Sequence, residues 1–280
     1  MNHVCINGKM LPASEPSLMA DNRGYRYGDG LFETMKMVNG KIILEKYHFE
    51  RLFSGLKLLK YHVPSLFAAS KLRKEISVLC KKNDCTELAR VRLSVSRGNG
   101  GLYDETKGPQ YVIECWPAEN LVNQVNKNGL DIDIYPDAQK SCDLFCNLKS
   151  ANYLPYVMAA QYAKENKLND CLVSNVKGHI ADATIANIFL VKNNLVITPA
   201  LTEGCIEGII RRYLLEKLGS SANFEMREGV VTKNDLETFN EVFLTNAMYG
   251  IRWVKRFRDK MYTNKQTLKI YSEYVAPLYS

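Results

Sequence analysis

Residues 88–96 alternate cleanly between apolar and polar side chains. An alternation of period two predicts a β-strand with one buried face and one exposed face. The apolar face consists of Ala89, Val91, Leu93 and Val95, and the polar face of Arg90, Arg92, Ser94 and Ser96. This strand is expected to pair with residues 110–116 across the glycine-rich loop that separates them.

Other segments show the spacing of helices or of short strands. Apolar residues recur at helical spacing at Phe49, Leu52, Phe53, Leu56 and Leu59, and a second helix is expected after Pro64. Further helices are predicted at about 151–164, 208–218 and 264–275. Short strands are predicted at 3–7, 41–44, 130–135, 171–174, 188–191, 195–198 and 241–245. Because these elements do not follow a regular βαβ repeat, the pattern indicates an α+β fold.

A polar stretch at residues 117–128 interrupts the pattern of apolar positions. Its composition is typical of a linker between domains. The sequence therefore predicts an N-terminal domain at 1–116 and a C-terminal domain at 129–280. A chain of 280 residues is long enough for two moderate domains with substantial cores.

Composition narrows the functional classes. No apolar run is long enough to cross a membrane, and the N-terminus has no secretory pattern, so we expect a cytoplasmic protein. The eight cysteines are scattered without zinc-ligand spacing, so no metal site is expected. The net charge is +7, and the densest basic run is 252–260. A solvated face explains so short a run better than a nucleic-acid surface, and attraction of an anionic small substrate is a further interpretation.

Three separate features suggest the chemistry. Gly208 precedes an apolar helix, and free backbone N–H groups at a helix start form a phosphate site. Lys149 and Asp182 lie upstream. One lysine, one carboxylate and one phosphate cradle are the groups needed to hold pyridoxal 5'-phosphate. Each feature alone is weak, since a surface lysine and a turn aspartate are common.

Four segments carry a family resemblance. They are DNRGYRYGDGLFETMKMVNGKIILEKYHFER at 21–51, NLKSANYL around Lys149, IADATIANIF around Asp182, and EGIIR before the helix. In their order and intervals they resemble the fold-type IV, or class IV, pyridoxal-phosphate enzymes. The resemblance implies a two-domain fold like that of D-amino-acid aminotransferase. It consists of a small N-terminal α/β sandwich domain and a larger C-terminal domain with a mixed sheet. It also implies a homodimer that acts on a small, anionic, amino-acid-like substrate.

The resemblance assigns roles to residues around the cofactor. Lys149 would form the Schiff base and move the substrate proton. Asp182 stands where the family usually has glutamate and would pair with the pyridine nitrogen, closely or through water. Tyr153 would lie one helical turn from Lys149 and bond the cofactor's 3-oxygen, although a core tyrosine is an equal alternative.

Further residues would hold the phosphate or face the substrate. Arg51 would contact the phosphate, and the N–H groups of Ile209 and Ile210 would form the cradle. The family often has a hydroxyl side chain at the end of the strand where this chain has Ala247, so a backbone group would have to bind the phosphate there. His48 is interpreted as structural. Four side chains are assigned to the substrate side: Tyr27, Phe32, Thr34 and Arg97.

The choice of reaction stays open between related classes. An Arg-x-His pair typical of D-amino-acid aminotransferases is missing after Arg97, and the branched-chain signature is not recognisable. The segments at 97–101, 245–248 and 271–278 most resemble aminodeoxychorismate lyase, a folate-biosynthesis enzyme that releases pyruvate and 4-aminobenzoate. A class IV aminotransferase for branched-chain or D-amino acids is the alternative. A pyridoxal-phosphate-binding protein with weak turnover is a further one, given Asp182 and Ala247.

Overall fold

The computed structural model describes residues 1–15, 18–105, 108–119 and 123–279. The chain forms two compact units. The first unit consists of Met1–Asn120 together with Lys149–Asn152, and the second of Leu121–Leu148 and Tyr153–Ser280. Residues 120–122 of the predicted linker lie outside the described residues, and the domain limits stay a prediction.

An antiparallel sheet forms the first unit, and its described part has six strands in the order β2-β1-β6-β5-β3-β4. The strands are β1 (His3–Ile6), β2 (Lys9–Pro12), β3 (Gly30–Val38), β4 (Lys41–Ile42), β5 (Leu88–Ser96) and β6 (Gln110–Pro117). The predicted strand at 88–96 and its pairing with 110–116 are confirmed. All four residues of its apolar face are buried.

Helices cover this sheet. They are α1 (Arg23–Tyr27), α2 (Glu45–Leu58) and α3 (Ala69–Lys82). Helix α2 packs against β3, and α3 packs against β1 and β6. The apolar residues that predicted the two longer helices form the core, with Leu52, Leu56, Leu72, Ile76 and Leu79 almost fully buried. Burial of such a stripe is the main stabilising contribution to an amphipathic helix.

A mixed sheet forms the second unit. Within the described residues its order is β12-β11-β10-β13-β14-β7-β8-β9, and β15 pairs with β14. The strands are β7 (Leu130–Lys140), β8 (Asp170–Asn175), β9 (Ile180–Ala183), β10 (Asn187–Lys192), β11 (Leu195–Pro199), β12 (Glu225–Gly229), β13 (Glu241–Asn246), β14 (Gly250–Phe257) and β15 (Lys260–Met261). Strand β9 also packs against β10 and β11, so the sheet curls and brings its two ends together.

The helices of this unit are α4 (Leu154–Glu165), α5 (Ile209–Gly219), α6 (Lys233–Thr238) and α7 (Lys265–Ile270). Two predicted limits were wrong. Helix α4 begins three residues later than predicted. Pro155 lies in its first turn, where a residue without an N–H group loses no hydrogen bond within the helix. The predicted helix at 264–275 changes after Ile270 into a π-helical turn at Tyr271–Val275.

Two apolar clusters form the core of the second unit. The larger includes Ile188, Leu190, Val242 and Leu244 of the central strands. The smaller packs Tyr156 and Ala159 of α4 against β7 and β8. Among the described residues no helix is both long and apolar enough to cross a membrane. The fold is α+β with two units, as the resemblance implies.

Candidate functional site

Lys149 lies in an extended segment joined to β3 of the first unit. Its carbonyl oxygen accepts a hydrogen bond of 2.9 Å from the backbone N–H of Phe32, and Ser150 forms a β-bridge with Leu31. Ala151 N–H donates to the carbonyl of Gly30 at 2.9 Å. The predicted helical relation between Lys149 and Tyr153 is therefore wrong, because the backbone is paired as a strand at Lys149 and α4 begins only at Leu154.

Phe32 of β3 brings two cations together on one face of the first unit, here called the Phe32 face. Lys149 Nζ lies 4.4 Å and Arg92 Cζ 4.0 Å from the centre of the Phe32 ring, within range of cation–π attraction. Arg92 of β5 stands opposite Thr34 of β3, so both side chains share this face. Because side chains alternate along a strand, Lys36 belongs to the same face as Phe32 and Thr34.

Sequence reasoning missed Lys36 and Arg92 as functional candidates. Lys36 is fully buried, and burial lowers its pKa to about 7. A lysine between two methionines, Met35 and Met37 of β3, was the available signal for this position. Arg92 stood on the polar face of the predicted strand, but alternation alone does not tell a solvated arginine from a ligand-facing one.

The opposite face of β3 carries a buried charged cluster. Arg51 donates to both carboxylate oxygens of Glu33, through Nε at 2.8 Å and an Nη at 2.6 Å. His48 Nδ1 lies 2.6 Å from the same carboxylate. Burial lowers the pKa of His48, so the imidazole is neutral at pH 7 and Arg51 supplies the positive charge. His48 thus has the structural role predicted for it, whereas the phosphate role of Arg51 stays a prediction.

This cluster makes the protein sensitive to acid. Burial opposes ionisation of Glu33, but Arg51 and His48 outweigh it and lower the pKa of Glu33 from 4.5 to about 2. A carboxylate whose pKa is lower in the folded state stabilises the fold above its unfolded pKa, and that contribution disappears as pH falls. We expect a loss of roughly 3 kcal/mol between pH 4.5 and pH 2.

Urea unfolding of the wild type and of Glu33→Gln across this pH range measures the effect. The stability advantage of the wild type over the variant should shrink as pH falls. An advantage that stays constant down to pH 2 would contradict the assignment.

Arg97 and Tyr27, two residues assigned to the substrate side, both belong to the first unit. Arg97 Nε donates to Asp29 at 2.9 Å, one of its Nη atoms donates to the carbonyl of Leu59 at 2.7 Å, and its guanidinium covers the Tyr61 ring. These contacts favour a structural role for Arg97 over the predicted contact with substrate. The Tyr27 side chain at the end of α1 is 43% exposed.

Asp182 is the charged centre of the second unit. It is 1% exposed, and three groups donate to its carboxylate: the Tyr156 hydroxyl at 3.0 and 3.1 Å, the Ile206 backbone N–H at 2.9 Å and Lys140 Nζ at 3.2 Å. Burial and the Asp182 charge raise the pKa of Tyr156 well above its usual value, so this tyrosine is a donor. Tyr156 and Lys140 were both missed from the sequence.

The start of α5 lies beside Asn187. Gly208 is the N-cap of this helix and has no side chain to cap it. A Cβ at Gly208 would lie 1.8 Å from Asn187 Oδ1, so only glycine allows this approach. Asn187 stands opposite Thr245, and paired residues of neighbouring strands share a face. Thr245 Oγ1 is buried and has no hydrogen-bond partner among the described residues.

The start of α5 and Thr245 supply a set of hydrogen-bond donors, and the binding of an anion by them stays a prediction. Ile209 and Ile210 occupy the first helical turn, where backbone N–H groups have no partner within the helix. Helix α5 packs against β13, the strand that carries Thr245. The hydroxyl that the sequence lacks at Ala247 thus has a counterpart at Thr245. Ala247 itself lies in the turn between β13 and β14.

Tyr153 lies at the start of α4, with its ring 4.4 Å from that of Tyr156. Its hydroxyl donates to the carbonyl of Thr184 at 2.9 Å. The structure therefore brings Tyr153 close to the partner of Asp182, and its predicted bond to the cofactor's 3-oxygen stays a prediction.

A thiol cluster lies in the core of the first unit. Sγ atoms of Cys80, Cys85 and Cys115 lie within 4.8 Å of one another, and no other group in the described part of the chain has metal-ligand geometry. Burial raises the pKa of the Cys85 thiol to about 12, whereas hydrogen bonds with Cys80 and Asn83 lower the pKa of Cys115 to about 6, so the cluster favours one thiolate and not the several that a metal site needs. The expected absence of a metal stays a prediction.

The chain is similar to known proteins in both sequence and fold. The sequence model of the amino-transferase class IV family matches residues 30–257. Aminodeoxychorismate lyase of Bacillus subtilis is 27% identical over 259 residues, covering 89% of this chain and 84% of that protein. D-alanine aminotransferase of Bacillus licheniformis is 26% identical over 247 residues, covering 87% and 84%. The crystal structure of the branched-chain aminotransferase of Thermoproteus uzoniensis with norvaline superposes with a TM-score of 0.87 at 20% identity, covering 99% and 94%.

Proposed function

Because this chain belongs to the class IV aminotransferase family of pyridoxal-phosphate enzymes, we propose that it is a lyase that cleaves 4-amino-4-deoxychorismate to pyruvate and 4-aminobenzoate. Its relatives include both lyases and aminotransferases, so the family alone leaves the reaction open. The proposal includes a homodimer, which the family resemblance implies, and a cytoplasmic location, which the sequence composition favours. Its support comes from the residues that would hold the cofactor and from the charges that face the substrate.

The donor set of the second unit fits pyridoxal phosphate. A phosphate group needs several donors, which the first turn of α5 and the orphaned Thr245 hydroxyl would supply. A protonated pyridine nitrogen needs a buried carboxylate, which Asp182 would supply. Lys149 would hold the cofactor through its amine, and Arg51 would be a further phosphate ligand.

The side chains of the Phe32 face would select the substrate. Arg92 lies against the Phe32 ring and the buried Lys36 belongs to the same face, whereas Lys149, beside the same ring, is reserved for the cofactor. The chorismate derivative carries one carboxylate on its cyclohexadiene ring and a second on its enolpyruvyl group, so more than one cation and an apolar aromatic surface suit it. A small amino acid such as alanine offers a single carboxylate and no ring.

Lys149 would also perform the proton transfer. The bound cofactor supplies an electron sink that makes the carbon bearing the amine acidic. Lys149 would take the proton from that carbon as general base. In a lyase the bond between the neighbouring ring carbon and the enolpyruvyl oxygen then breaks, a ring double bond forms that makes the ring aromatic, and the released enolpyruvate takes up a proton to give pyruvate. In an aminotransferase the proton returns to a different carbon.

Product analysis tests the lyase. The purified protein with the chorismate derivative alone should yield equal amounts of pyruvate and 4-aminobenzoate over many turnovers, without a 2-oxo acid. The control replaces the substrate with D-alanine or L-leucine in the presence of 2-oxoglutarate. Efficient amino transfer in the control, with no aromatic product from the chorismate derivative, would identify an aminotransferase instead.

A further inference from the structure

The Asp182 site contains a buried cation that the proposed function does not use. Lys140 is 8% exposed, and its Nζ lies 3.2 Å from Asp182 Oδ2. The same Nζ lies 3.5 Å from the carbonyl of Cys146 and 5.0 Å from the centre of the Tyr156 ring. The ammonium thus contacts the carboxylate and lies beside the ring of the tyrosine that also donates to it.

Strand geometry places this lysine. Lys140 is the last residue of β7 and stands opposite Asn175 of β8, while Asp182 of β9 stands opposite Val173 on the other side of β8. The pairing register between β7 and β8 shifts after Ile134. Four residues of β7, 135–138, therefore lie opposite a single residue of β8, residue 173. Such an irregularity redirects the end of a strand, here toward the carboxylate two strands away.

The charges explain why a cation is needed there. A carboxylate that is 1% exposed is costly to bury unless it is paired and hydrogen-bonded. The Tyr156 hydroxyl and the Ile206 N–H are neutral donors. Among the described residues of the second unit, Lys140 is therefore the cation that contacts Asp182 directly. Aspartate is also one methylene shorter than glutamate, so its direction must be fixed more strictly for it to reach a ligand.

We propose that Lys140 is a positioning residue that fixes the Asp182 carboxylate, through their ion pair, in the direction needed to bind the cofactor's ring nitrogen. This inference rests on the proposed function, because it gives Asp182 the cofactor as its ligand. Lys140 itself takes no part in proton transfer. It holds the carboxylate in a fixed orientation before the cofactor arrives.

The ion pair is tested first on cofactor-free protein. Lys140→Met should lower Tm by about 5 °C or more, because it leaves a buried carboxylate without a counter-ion. In an Asp182→Asn background the same replacement should leave Tm unchanged or raise it, since the lysine is then a buried charge without its carboxylate. Lys177→Met is the matched control, because Lys177 forms a half-exposed ion pair with Glu203 in the same unit. An equal loss in both backgrounds would overturn the inference.

Cofactor affinity, measured by absorbance titration with pyridoxal phosphate, separates positioning from a merely structural role. Lys140→Met should weaken binding by about tenfold or more, and Lys140→Arg should restore it to within about threefold. In the Asp182→Asn background, removal of Lys140 should change affinity by less than about threefold. Unchanged affinity in Lys140→Met would overturn the inference and leave the proposed function intact. A wild type that binds no cofactor would overturn both, whatever the melting data show.

Discussion

Replacement of Lys149 by alanine is expected to lower turnover by about 10⁴-fold or more, because it removes both the amine that holds the cofactor and the base that moves the substrate proton. The fold should survive, since the hydrogen bond that joins Lys149 to β3 uses its backbone carbonyl and is kept in the alanine variant. Steady-state kinetics with the chorismate derivative measures the loss, and circular dichroism checks the fold.

The matched control is Lys164→Ala, which removes an exposed lysine from α4. Its turnover should equal that of the wild type. If Lys149→Ala kept more than about 1% of wild-type turnover, another group would be the base, because removal of a general base alone costs about 10²-fold or more.

Replacement of Asp182 by asparagine is expected to slow the reaction by about 10²- to 10³-fold, the scale measured when one preorganised electrostatic partner is removed. The amide carries no charge to favour a protonated ring nitrogen, and it leaves Lys140 buried without its carboxylate. Single-turnover measurement of product formation isolates this step from release of product.

Asp182→Glu is the informative companion, because glutamate is the residue that the family usually carries. Its turnover should stay within about tenfold of the wild type or exceed it, since the charge is retained. Equal rates for the asparagine variant and the wild type would contradict the role of the carboxylate.

The sequence predicted those elements whose signal is local. The alternation at 88–96 defined β5, and the stripe with Leu52 and Leu56 defined α2, because burial of one face imposes a period on the chain. Helix α4 was placed too early, since Lys149 and Ser150 pair with β3, a contact far away in sequence. A pattern along the chain does not encode such a pairing.

The residues of the candidate site also divide into those with a local sequence signal and those placed by distant contacts. The motif around Asp182 predicted the carboxylate, but its partners Lys140 and Tyr156 lie 42 and 26 residues away and meet it only through the curled sheet. Arg97 was assigned to the substrate because it follows the strand where related enzymes bind carboxylates. The structure instead engages it with Asp29, a contact across 68 residues that no local pattern reveals.

Chemical mapping of the cofactor tests the central claim most directly, namely that this chain holds pyridoxal phosphate on Lys149. The holoenzyme is reduced with borohydride, digested, and its peptides are identified by mass spectrometry. The account predicts one phosphopyridoxyl group per chain, on the peptide that contains Lys149, and none in Lys149→Ala. Attachment at Lys36, Lys140 or any other lysine in the wild type would contradict it.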